Sequence, residues 1–138
     1  MLYNTQNDNR WADFKYDRNY TLGSYGCYIT SIANILDITP LQFAELTAGC
    51  YTDGLLIHEK AGYKAGYIRT IVDRLEQINN SNYIVHFYWG EKGYHHFSNI
   101  IRRDSGMLYI YNVYTGERQY VHNGRIINII RIDRCEIE

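Results

Sequence analysis

The sequence predicts an α+β domain, on two observations. Helical periodicity is confined to its first half, and strand-length apolar runs separated by turn residues fill its second. Length fits this reading: 138 residues suffice for one domain with a sizeable core. No repeat, linker or low-complexity tract divides the chain, so residues 1–138 are read as one unit.

The stretch from Gln6 to Ser24 is aromatic-rich and irregular. Ile29, Ile32, Ala33, Ile35 and Leu36 then recur at helical spacing, which places a first helix over Cys27 to Asp37. Thr39-Pro40 supplies an N-cap with proline at the first helical position. The second helix therefore covers Pro40 to Ala48, and Gly49 stops it. Tyr51 to Lys64 is spotted with glycine and reads as loop with at most one short helix. Ile68, Ile71, Val72 and Leu75 place a third helix over Tyr67 to Gln77, and Asn79-Asn80-Ser81-Asn82 is a turn cluster. Strands follow at Tyr83 to Trp89, Phe97 to Arg102, Leu108 to Val113 and Arg125 to Ile132. Turns at Gly90 to Gly93, Asp104 to Gly106 and Tyr114 to Glu117 separate them.

Composition excludes several classes of function. Net charge is −1 and the arginines are scattered, so nothing draws the chain to nucleic acid or an anionic membrane. No apolar run approaches the roughly 20 residues of a membrane span. Met1 to Asp8 is polar and lacks the apolar core of a signal peptide. A cytoplasmic or virion-associated location is expected. The three cysteines, Cys27, Cys50 and Cys135, are odd in number and widely spaced, which argues against a disulfide framework and a zinc site. Cys50 and Cys135 read as structural. The 15 tyrosines suit half-buried strand faces and aromatic binding surfaces. Many Ile and Asn with one Pro is the composition of an AT-rich coding genome, as in phages and low-GC bacteria.

Cys27 is the chemically suggestive residue. Gly23-Ser24-Tyr25-Gly26 ends a loop, and the apolar helix starts at the cysteine. A thiol there meets unpaired backbone N–H groups and the positive end of the helix dipole. Both favour thiolate over a thiol whose free pKa is about 8.5. The bland alternative is a small buried hydrophobe.

A cysteine nucleophile needs a base and a group to orient it. Among His58, His86, His95, His96 and His122, His96 opens a strand beside a turn, where it can face a cleft. Asn112 lies on the next strand. Pairing through the Asp104 to Gly106 turn would bring it nearly opposite His96, where its side chain can accept from the imidazole. His95 competes as base, but alternation sends adjacent side chains to opposite faces. His86, His95 and His96 lack a carboxylate or cysteine at a familiar ligand spacing, so neither metal nor cofactor is expected.

Four pieces together resemble the papain-like cysteine peptidases of the bacteriocin-leader-processing, or double-glycine, type (cysteine peptidase family thirty-nine), in their free-standing branch. Gln6-Asn7-Asp8-Asn9-Arg10-Trp11 is similar to the family's Gln-x-Asp-Pro-x-Trp opening. Gly26-Cys27 with Thr30-Ser31 resembles its nucleophile segment, and Thr39-Pro40 its next helix. His96-Phe97 and Asn112, 16 residues apart, resemble its histidine and orienting residue. The chain departs from the family by Asn112 in place of aspartate and Val113 in place of proline.

The resemblance implies a papain-like fold and acyl transfer. Cys27 would attack a peptide or isopeptide carbonyl, with His96 as base and Asn112 orienting it. Gln6 and the Cys27 backbone N–H would hold the oxyanion. Trp11, Tyr25, Gly26, Trp89 and His95 are the expected substrate-binding residues, and a peptide, protein or peptidoglycan peptide the expected substrate. Two rivals are an inactive peptidase-fold binding module, which Asn112 favours, and a Cys-His transglutaminase or deamidase.

Overall fold

A computed structural model describes residues 1–72, 78, 81–90 and 93–135. The short strands β1 (Lys15–Asp17) and β2 (Tyr20–Thr21) form a hairpin that leads into the one-turn helix α1 (Leu22–Tyr25). Helices α2 (Cys27–Ile35) and α3 (Pro40–Leu46) follow, then a second small hairpin of β3 (Tyr51–Thr52) and β4 (Leu55–Leu56). Helix α4 (His58–Ala65) precedes β5 (Tyr67–Val72), β6 (Tyr83–Trp89), β7 (Tyr94–Asp104), β8 (Met107–Tyr111), β9 (Arg118–His122) and β10 (Ile126–Arg134). The last six strands make one antiparallel sheet in the order β5-β10-β6-β7-β8-β9.

Local chemistry accounts for most element ends. Thr39 accepts from the Gln42 N–H while the Gln42 side chain accepts from the Thr39 N–H, a capping box that opens α3 with Pro40 in its first turn. Both predicted helices end about two residues early, at Ile35 and Leu46. The lead segment, expected to be irregular, holds the β1–β2 hairpin and α1.

The third helix expected over Tyr67 to Gln77 is contradicted at Tyr67–Val72. Residues 67–72 are strand β5, whereas Leu75 and Gln77 lie outside the described residues, as does part of the Asn79 to Asn82 turn. The helix lies upstream as α4, in the stretch expected to be mainly loop. Gly66 ends it in the left-handed region, with φ 77. Tyr67 to Val72 then pairs residue by residue with β10. Strand β9 was also unexpected; it pairs Arg118 to His122 with Tyr111 to Met107.

The sheet carries two apolar clusters on opposite faces, following the two-residue alternation of its strands. Ile84, Ile130 and Ile132 face Ile29, Ile32, Phe43 and Ala61 of the helices. Val85, Phe87, Trp89, Ile100, Leu108, Ile110 and Ile129 make the other cluster from strands alone. No described helix is long and apolar enough to cross a membrane.

A buried polar clamp fixes α2 to β7. Asn34 Nδ2 donates to Asn99 Oδ1 at 2.8 Å, and Asn99 Nδ2 donates to the Ser31 carbonyl at 2.9 Å. Asn34 also exchanges hydrogen bonds with the Asn4 backbone. Both side chains are fully buried. Asn99→Ala removes both hydrogen bonds and leaves one Asn34 Nδ2 proton buried without this acceptor, although Nδ2 keeps its bond to the Asn4 carbonyl, and is expected to cost about 1–3 kcal/mol. Urea unfolding followed by tryptophan fluorescence checks this, and a loss under about 1 kcal/mol would show the clamp to be dispensable.

Candidate active site

Cys27 is the first residue of α2, with Gly26 as N-cap. Gly26 is demanded by space: a Cβ there would lie 2.5 Å from the Leu22 carbonyl oxygen, where α1 turns into α2. The Ser31 hydroxyl donates to the Cys27 carbonyl one turn on.

The sulfur sits where the helix N-terminus meets β7. Three backbone N–H groups act on it, from Phe97 first and then from Tyr28 and Cys27, and each favours thiolate. Burial outweighs them and pushes the Cys27 thiol up. The residue itself retains some exposed surface. The sequence expectation of a depressed thiol is therefore corrected. The helix-terminal donors are present, but dense protein around the sulfur penalises the charged form more.

His96 and Asn112 come together as expected from strand pairing. Asn99 pairs with Tyr111, which puts Ser98 opposite Asn112 and His96 two residues along the same face. Asn112 Oδ1 accepts from the Tyr114 N–H at 2.9 Å and the Thr115 N–H at 3.3 Å. Asn112 Nδ2 donates to Gln119 Oε1 at 3.2 Å. These contacts fix the amide's orientation, so Oδ1 is an acceptor. The 3.0 Å contact to His96 Nε2 is then a donation by the imidazole, which leaves Nδ1 as the free base in the neutral ring.

His96 is 1% exposed. Trp89 covers its ring at 4.7 Å and 31°, and Phe87 meets it edge-on at 5.6 Å. Burial pushes the imidazole down to about 4, against a smaller opposing effect of the Asn112 hydrogen bond. Thiol and imidazole are thus both neutral at rest. Among the described residues no hydrogen bond joins Cys27 Sγ to His96; the sulfur meets the strand one residue on, at Phe97.

Gln6 is buried and ties the two halves of the site together. Its backbone N–H donates to the Val113 carbonyl at 2.8 Å, next to Asn112, and its side-chain Nε2 donates to the Gly23 carbonyl at 3.1 Å, upstream of Cys27. Its Oε1 is buried without a hydrogen-bond partner.

The five expected substrate-binding residues are placed unequally. Tyr25 is 57% exposed and packs edge-on against Tyr20, beside the nucleophile. The space next to Gly26 is filled by Leu22 backbone. Trp11 lies in the core, with its indole N–H donating to the Thr5 carbonyl at 2.8 Å. Trp89 is as buried as Trp11 and packs on His96. His95 is on the opposite face from His96, exposed, with its Nδ1 3.3 Å from His86 Nε2.

Several contributors carried no signal in the sequence. The Phe97 N–H is a backbone group with no residue-type signature. Gln119 lies on the unexpected strand β9. Asn34 and Asn99 meet across the fold. No described group of three or more His, Cys, Asp or Glu is arranged to hold a metal.

This arrangement puts a cysteine at a helix N-terminus against the backbone of β7, one residue along the strand from a buried, oriented imidazole. No protein-family model matches the chain, and no curated protein matches its sequence. A solved structure does. It is a double glycine motif protease from an AMS/PCAT transporter, crystallised in complex with its leader peptide. The TM-score is 0.54 at 16% identity, covering 78% of this chain and 84% of that one. The likeness is one of fold, a cysteine-peptidase-like fold of the double-glycine type.

Proposed function

We propose that the chain is a cysteine peptidase working through Cys27, His96 and Asn112. The observation that carries this reading is the His96 Nε2 to Asn112 Oδ1 bond, with Asn112 itself pinned by two backbone N–H groups, one residue along β7 from the backbone that meets the Cys27 sulfur. His96 Nδ1 takes the thiol proton as the sulfur attacks the carbonyl carbon, and returns it to the leaving amine. Water then releases the acyl group from Cys27. Because both groups rest neutral, the proton moves with the attack rather than before it. Gln6 Nε2, through its second N–H, and the Cys27 backbone N–H are the proposed oxyanion donors. The substrate is a peptide, a class supported by the leader peptide held by the compared protease. A peptidoglycan peptide or a processed phage protein falls within that class.

The test is iodoacetamide labelling at pH 6, read by mass spectrometry at each cysteine. Cys27 and Cys135 are both part-exposed and free. Without help from a base, the buried Cys27 thiol would react more slowly than Cys135. Faster labelling of Cys27, lost in His96→Ala, is the expected result, together with peptide hydrolysis that Cys27→Ala abolishes. Cys27 labelling no faster than Cys135 would sink the mechanism. A second reading, a peptidase-fold binding module, is favoured by the lack of a Cys27–His96 hydrogen bond among the described residues, and that outcome would support it.

A further inference from the structure

A polar row crosses the apolar cluster that the strands build alone. His96 of β7 is the register partner of Phe87, and Gln119 of β9 is the register partner of Ile110; Phe87 and Ile110 both belong to that cluster. Asn112 stands one residue past the end of β8 and two residues from Ile110, so it shares the same face. Gln119 therefore reaches Asn112 diagonally, from the strand on the far side of β8 from His96.

The Asn112 amide is fully buried, so each of its polar atoms needs a partner. Oδ1 accepts from His96, Tyr114 and Thr115. Nδ2 can only donate, and it donates to Gln119 Oε1 at 3.2 Å. Gln119 is half-buried, with its backbone held in the ladder to β8. The pair is matched in a way that depends on both residue types. A carboxylate at 112 would set oxygen against Oε1 until the Gln119 amide turned over to donate. A carboxylate at 119 could accept from Nδ2 but could not make that turn.

We propose that Gln119 is a positioning residue: its side-chain oxygen holds the Asn112 amide and, through it, keeps His96 Nε2 donating and Nδ1 free. The consequence for rate rests on the peptidase reading, whereas the consequence for the imidazole does not. Gln119 acts through Asn112 and not on the substrate.

The test is nitrogen NMR of the His96 ring at pH 7, where burial keeps it neutral, together with peptide hydrolysis. Gln119→Met keeps the side chain's length and removes its oxygen. It is expected to turn the single Nε2–H form of the ring into a mixture of both forms. It is also expected to lower kcat by about 3- to 10-fold with KM unchanged, the weight of one neutral hydrogen bond. Gln119→Glu supplies an acceptor again and is expected to restore both readouts; a packing role would be filled by methionine instead. Asn112→Asp combined with Gln119→Glu brings two carboxylates together, and is expected to cost about tenfold more than the two single effects multiplied. Thermal unfolding shows which variants fold, and Gln119→Leu is the second variant without an acceptor. A folded Gln119→Met or Gln119→Leu protein that keeps the unaltered ring form would overturn the proposal, as would simply multiplicative effects in the double variant. If the unaltered protein hydrolyses no peptide, the peptidase reading fails, and the ring form alone decides whether Gln119 positions His96.

Discussion

Peptide hydrolysis by the His96→Ala protein is expected to fall by about 10²- to 10⁴-fold, the usual contribution of a positioned general base. The effect should be large here because burial outweighs the other groups that favour thiolate. Burial holds the Cys27 proton on sulfur against three backbone N–H groups. Without Nδ1, that proton has no acceptor at neutral pH. Asn112→Asp separates orientation from charge. A carboxylate still accepts from His96 Nε2 and from the Tyr114 and Thr115 N–H groups. Its charge raises His96 from about 4. The acid limb of the rate profile should then move to higher pH, together with the His96 titration seen by NMR. An unmoved limb would mean that His96 does not set it, and undiminished hydrolysis by His96→Ala would remove it as the base.

What was legible in the sequence is what local chemistry decides. Gly26-Cys27 before an apolar run marks a helix start whatever packs on it. His96 and Asn112 could be placed together from a turn and the strand period. Gln6 was singled out by motif, and its bridging of Gly23 and Val113 depends on the whole fold. The error at Tyr67 to Val72 has a definite cause. Ile68, Ile71 and Val72 satisfy helical spacing, but on edge strand β5 Ile68 and Ile71 are 57% and 45% exposed while Tyr67 and Val72 are buried. The spacing of Ile68, Ile71, Val72 and Leu75 outweighed the β-branched composition and the glycine at 66 that ends α4. The charge state of Cys27 was misread for a different reason. The Tyr28 and Cys27 donors follow from helix geometry, whereas burial of the sulfur depends on how the folded chain packs around it, including β7, whose Phe97 N–H reaches it from the other half of the chain.

The burial that sets the chemistry also sets the acid limit of the fold. His96 goes from an ordinary 6.5 in the unfolded chain to about 4 in the folded one. Between those values the unfolded chain binds more protons, so stability rises with pH across the window. The contribution is fully present above about pH 6.5 and is lost as pH falls through about 4. It is on the order of 3 kcal/mol for a histidine this buried. His58, also held near 4 by burial, acts in the same direction. The lowered carboxylates, Asp37 beside Arg134 and Asp8 beside Arg10, lose their contributions only as pH falls below about 4, so the histidine window stands apart. Urea unfolding at pH 7, 6, 5 and 4.5, with chelator present, should show the unaltered protein losing more stability than His96→Gln, which cannot titrate there. The gap should open below pH 6.5 and reach about 2–3 kcal/mol by pH 4.5. Parallel curves would mean that His96 is not held neutral by burial, and the general-base step would then have to start from an ion pair.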